Sequence, residues 1–127
     1  MKLATFQQPV EVASIEQLRK ELQFRHDCSF GSFWLWHPTG TELALMVNGS
    51  DAYIHFLPGG DHPGYQAAVR DRSDEILFLA DNYEPTPMPR FTTIPLATAL
   101  IAVEEFFRSG QRPSSISWDS LCVEPTE

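Results

Sequence analysis

The chain has 127 residues, 43% of them apolar, and its nine Lys and Arg against 17 Asp and Glu give a formal charge of -8. That length fits one domain with a core that needs no covalent staple. An acidic balance disfavours nucleic acid and anionic membranes as partners and favours a basic one, although it also serves plain solubility.

Cys28 and Cys122 lie far apart and form no disulfide framework, so a reducing compartment, the cytoplasm, is expected. The opening MKLATFQQPVEV carries a lysine but no sustained apolar segment after it, and does not read as a signal peptide. The most apolar run, Ile94 to Val103, is too short to cross a bilayer. There is no internal repeat, and residues 1–127 read as a single domain.

In chain order, residues 1 to 13 read as an extended lead-in. Ser14 with Gln17 makes a capping-box pattern, and Ile15, Leu18 and Leu22 predict a helix to about Phe24. Phe33 to Trp36 is a strand closed by the breaker His37-Pro38-Thr39-Gly40. Leu43 to Val47 and Ala52 to Leu57 are two more strands. Asn48-Gly49 between them is a hairpin signal, because both residue types tolerate positive φ. Leu43, Leu45 and Val47 share one face, as do Ala52, Ile54 and Phe56, while Met46, Tyr53 and His55 take the opposite one.

Pro58 to Gly64 is a turn-rich loop, and Tyr65 to Val69 follows as a strand. Asp71 to Asp74 is a charged turn. Ile76 to Ala80 is apolar on both faces and is expected at the centre of the sheet. Asp81 to Arg90 contains three prolines and reads as a surface loop or an edge segment. Ile94 to Trp118 then predicts a helix, a stop and a strand. Pro95 suits the first turn, Leu96, Leu100, Val103 and Phe107 fall at helical spacing, and Ala99 and Phe106 widen the stripe. Gly110 caps the helix, Pro113 prevents its resumption, and Ile116 and Trp118 alternate as in a half-buried strand. The expected fold is α+β: an antiparallel sheet of about five or six strands with two main helices packed on one face. Its core is Phe33, Leu35, Leu43, Leu45, Val47, Ile54, Phe56, Ile76, Phe78, Leu96, Leu100, Val103, Phe107, Ile116 and Trp118.

Signs of reaction chemistry are few. The sequence has no nucleophile-elbow Gly-x-Ser-x-Gly, no phosphate-binding Gly-rich loop with Lys, no His-Glu-x-x-His and no Cys-x-x-Cys. His26-Asp27-Cys28 could begin a metal or thiolate site, but adjacent residues rarely converge on one ion. His55 paired with Asp61 or Glu42 would make an acid–base unit, and Asp61-His62 lies in a loop of the kind that carries binding residues. Each of the three reads more simply as a structural or solvated group. No catalytic residue, metal ligand or cofactor is expected, and the chain is read as a non-enzyme. Asp71, Asp74, Glu75, Asp81 and Glu84 flank one strand and, with Asp61, outline a broad negative rim. Tyr83 offers an aromatic anchor within it. A solvated face with one incidental tyrosine is the plainer alternative.

The ordered features ELALMVNGSDAYIHFLPGG, GYQAA and IPLATALIAVEEFFRSGQRPSSISW resemble the immunity-protein family numbered one of bacterial polymorphic toxin systems. The resemblance runs over roughly residues 32 to 121. It is carried by Val47-Asn48-Gly49, Ala52 to Phe56, Gly64-Tyr65, Pro95, Phe106-Phe107, Gly110, Pro113 and Trp118.

That resemblance implies an α+β protein made beside a toxin gene, which binds the toxin in the producing cell and blocks it. Toxins beside this family are usually nucleic-acid deaminases. The family's motifs are structural, so the resemblance assigns no catalytic residue. A toxin that acts on nucleic acid needs a basic groove, and an acidic inhibitor suits such a groove. On this basis the expected contacts with a basic, deaminase-type toxin are Asp61, Asp71, Asp74, Asp81, Tyr83 and Glu84. Two other readings stay open: a small ligand-binding or enzymatic domain with a pocket near His55 and Asp61, and a module that self-associates through Trp34 and Trp36.

Overall fold

The computed structural model describes residues 1–6, 8–68, 74–80 and 82–122. In chain order the elements are β1 (Lys2–Ala4), β2 (Val10–Glu11), α1 (Ile15–Glu21), β3 (Phe30–Trp36), β4 (Glu42–Asn48), β5 (Asp51–Leu57), β6 (Tyr65–Ala67), β7 (Glu75–Leu79), β8 (Pro85–Pro89), a 3-10 turn (Arg90–Thr92), β9 (Thr93–Pro95), α2 (Leu96–Ser109) and β10 (Trp118–Ser120). Eight strands form one antiparallel sheet in the order β10-β6-β5-β4-β3-β1-β2, with β9 paired to β5 as well. The fold is therefore α+β, but with more strands than the five or six expected. The additional ones hold only two or three residues each. Segments that short carry too little alternation to stand out in a sequence.

β4 and β5 pair in full register, from Glu42 against Leu57 to Asn48 against Asp51. The two loop residues are therefore Gly49 and Ser50, one position later than the Asn48-Gly49 pair expected. Gly49 supplies the positive φ of 61°. Asn48 instead completes its strand, and its side-chain amide donates to the Leu77 carbonyl at 2.8 Å.

The alternation along β3, β4 and β5 sends Phe33, Leu35, Leu43, Leu45, Val47, Ile54 and Phe56 to one face, where all are buried. Both helices cover that face. Ser14 caps α1 by accepting from the Gln17 amide, and Leu18 and Leu22 pack inward. Ala99, Ala102, Val103 and Phe106 form the innermost stripe of α2. Leu96, Leu100 and Phe107, expected in the core, are half-buried along its flanks, as are Ile116 and Trp118 beyond it. The small alanines let the helix sit close to the sheet. Arg19 bridges the two helices with a bidentate pair to Glu104 at 2.8 and 2.9 Å.

α2 ends as the sequence predicts, with Gly110 at φ 68° donating to Phe106. A Cβ at Gly110 would also lie 2.5 Å from His37 Nδ1. The His37–Gly40 breaker thus has a second task, which is to satisfy the last carbonyls of the helix. His37 Nε2 lies 3.2 Å from the Phe107 carbonyl, and the Thr41 hydroxyl donates to the Gly110 carbonyl at 2.7 Å.

Ile76 to Ala80 is not central in the sheet. Among the described residues β7 pairs with β8 alone, as a two-stranded hairpin lying on the sheet face opposite the helices. Ile76 and Phe78 face inward onto Tyr53, Met46 and Met88, while Leu77 is 43% exposed. An apolar run is equally satisfied by a layer laid over a sheet as by a place within it. The proline-rich stretch is the edge segment of the two options considered, since β8 covers Pro85 to Pro89.

Candidate partner-binding surface

The sheet face opposite the helices carries Trp34 and Trp36 from β3, Glu42, Ala44 and Met46 from β4, and Tyr53, His55 and Leu57 from β5. The β7–β8 hairpin crosses only the end near the β4–β5 turn, where Asn48 holds it. At the margin of the hairpin lies a cavity of about 140 Å³ lined by Ser32, Phe33, Trp34, Ala44, Met46, Tyr53, His55 and Ala80. Burial pushes the Tyr53 hydroxyl up to about 12, so it stays protonated and donates to Gln66 Oε1 at 3.0 Å.

The cavity does not unite the His55–Asp61 pair. His55 Nε2 lies 2.8 Å from the Pro63 carbonyl, and Asp61 is not among the lining residues. His62 Nδ1 accepts the Gly64 amide at 2.9 Å while its ring stacks on Tyr65. Both histidines therefore have structural partners in this loop. His26, Asp27 and Cys28 form a surface turn rather than a converging ligand set. His26 and Asp27 make a 3.3 Å contact, and Cys28 is exposed.

The expected acidic rim is spread out. Asp61 is exposed in the loop that leaves β5 at Leu57. Asp74 stands at the other end of the fold, where Arg90 Nε holds it at 3.0 Å while Arg90 Nη1 also approaches Asp51 at 3.7 Å. Glu84 lies at the opposite end of the hairpin from Asp74, because the ladder runs from Glu75 against Pro89 to Leu79 against Pro85. Five residues of strand separate those ends by roughly 17 Å. Asp71 and Asp81 lie outside the described residues.

Tyr83, by contrast, sits in a defined cluster. Its ring stacks on Phe6 with centroids 4.6 Å apart and meets the edge of His26 at 4.9 Å. Phe6 also contacts His26 at 5.7 Å and Phe24 at 6.2 Å. Tyr83 is 50% exposed and Phe24 38%. Asp27, beside His26, and Glu84, beside Tyr83, are both exposed.

The backbone beneath the cluster is unusual. The non-glycine residues with positive φ among the described residues are Asp27 at 52°, Cys28 at 63° and Tyr83 at 64°. All three lie in the two turns that carry His26 and Tyr83. In the hairpin turn, Ala80 donates to the Glu84 carbonyl and Tyr83 to the Ala80 carbonyl, which places Tyr83 at the left-handed position that glycine favours. A side chain there costs about 1–2 kcal/mol. Each aromatic contact returns about 0.5–1.5 kcal/mol. Its two contacts, with Phe6 and His26, together return about 1–3 kcal/mol, so the strain takes back much of what the stacking contributes. Sequence reasoning singled out Tyr83 as a candidate contact but did not join it to Phe6, Phe24 and His26. They come from separate stretches without periodicity, and no local signal links them.

Among the described residues, no helix is long and apolar enough to cross a membrane. None of the curated proteins compared with the chain matches it. One protein-family model does, over residues 8–120, which include both helices, the whole of the main sheet except β1, and the hairpin. The family is immunity protein Imm1, in agreement with the resemblance carried by the ordered motifs, and the chain belongs to it.

Proposed function

We propose that this protein neutralises a cognate toxin by binding it directly in the cytoplasm of the cell that makes both, and that it catalyses no reaction itself. The observation that carries the reading is the family match across residues 8–120. The charge of -8 supports a basic partner. A toxin of the nucleic-acid deaminase class has the basic, phosphate-holding groove that such an inhibitor suits. The contacts comprise Tyr83 with Glu84, together with Asp61 and Asp74 at more distant corners and with Asp71 and Asp81. An interface of about 1,600 Å² would be typical for such a complex.

The test is to co-express the chain with the protein encoded beside it, purify the complex, and assay that protein for base deamination with and without the chain. A one-to-one complex that has lost activity is the expected result. If the neighbour stays active and unbound at micromolar concentrations of both, the reading is wrong. A neighbour that is bound and inhibited but shows another toxic activity removes only the deaminase part.

A further inference from the structure

We propose that Phe6, Phe24, His26 and Tyr83 are the anchor that holds the toxin, receiving an arginine or lysine side chain from its basic face. This rests on the immunity reading and adds the place and chemistry of the contact. The cluster joins three separate stretches of chain: the segment after β1, the loop between α1 and β3, and the β7–β8 turn. Two of its rings, Phe24 and Tyr83, are among the most exposed large apolar side chains described. The others, Val10, Leu77 and Ile101, stand singly on β2, β7 and α2. Scattered apolar residues are ordinary on a surface, whereas a contiguous aromatic group set among polar residues marks an interaction site.

Charge selects the partner. Asp27 holds its carboxylate 3.3 Å from the His26 ring, and Glu84 follows Tyr83 in the hairpin turn, both of them exposed. The Asp27 side chain is 76% exposed beside the His26 ring. Aromatic rings bordered by carboxylates suit a cationic side chain, which gains ring contact and a charge-assisted hydrogen bond together. Rigid aromatic groups are also the residues on which interface energy concentrates. Tyr83 fits this role closely. It occupies a backbone position where glycine would be unstrained, and it leaves half its surface to solvent.

Binding kinetics to the immobilised product of the adjacent gene test the assignment, using the wild-type chain, Tyr83→Gly, Phe24→Ser and a control, Ile101→Ser, on the outer face of α2. Tyr83→Gly should raise the dissociation rate at least about tenfold and Phe24→Ser several-fold, with association rates nearly unchanged. Ile101→Ser should behave as wild type. The melting temperature of Tyr83→Gly should fall by only several degrees, because strain relief offsets part of the lost stacking. Should it fall further, Phe24→Ser, which leaves the backbone of both turns unaltered, decides the matter. Wild-type dissociation rates in both variants overturn the anchor while leaving the immunity reading intact. No binding by the wild-type chain overturns both. A wild-type homodimer that Tyr83→Gly dissolves, seen by sedimentation, assigns the cluster to a second copy and overturns the proposal.

Discussion

Gly110 carries two independent constraints at one residue. Its φ of 68° is left-handed, and a Cβ would meet the His37 ring and the Thr39 hydroxyl. The first penalty for alanine is about 1–2 kcal/mol, and crowding of a packed site adds about 1–3 kcal/mol. Gly110→Ala should therefore lose at least about 2 kcal/mol, read from the urea midpoint at unchanged slope. A loss below half that would mean that the His37 loop yields freely. The cap itself was legible in the sequence, because a glycine followed by a proline after a periodic stripe has one common meaning. The clash with His37 was not, since it depends on where another loop lies. Asn48 shows the same limit. Its type fits a hairpin turn, and only the tertiary partner, the Leu77 carbonyl, shows why it stands in the strand instead.

At the scale of elements, β8 shows how prolines can fit inside a strand. Hydrogen bonds from Ala80 to Glu84 and from Arg90 to Asp74 bracket its ladder with β7. Alternation then points Thr86 and Met88 toward β7 and turns Pro85, Pro87 and Pro89 outward. The outward positions, which would expose N–H groups to another strand, are those that proline fills. Pro87→Val should restore one such donor. The expected outcome is a rise in solution mass with concentration, measured by light scattering, at a stability cost of no more than about 1 kcal/mol. A strictly monomeric variant would show that the edge is protected by other means.

The other testable element contact follows α2, where Glu105 accepts from the Ser114 amide at 2.7 Å and from its hydroxyl at 2.9 Å. Those bonds hold the Glu105 carboxyl below its ordinary range. A lowered folded pKa means that its stabilisation is complete above the unfolded value, about 4.3, and is lost as pH falls through the folded value. The melting temperature of Glu105→Gln should thus depend less on pH than that of wild type between about pH 5 and 3. Parallel melting curves of the two proteins across that range would remove the claim. Long strands and the long helix were legible because each repeats its pattern several times. The layer position of β7 was not, because pattern reports burial and not the neighbour that provides it.

At the scale of the molecule, the acidic balance was readable from composition, but its arrangement was not. Asp61, Asp74 and Glu84 sit in separate regions, and Asp74 is already held by Arg90. Charges separated by more than about 8 Å at physiological salt act nearly independently. Such a dispersed set can guide a basic partner inward, but it cannot clamp it at one point. Guidance and holding should therefore separate in kinetics. Asp61→Ser, remote in sequence from the aromatic cluster, should slow association with the toxin by about twofold at low salt. That difference should shrink as salt rises toward 0.5 M, with dissociation unchanged. Glu84→Ser, next to Tyr83, should alter both rates. Combining Asp61→Ser with Glu84→Ser should multiply their effects on association, as independent contributions to one field do. If Asp61→Ser instead accelerates dissociation as much as Tyr83→Gly, the loop after β5 belongs to the holding contact, and the interface spans the open sheet face between them.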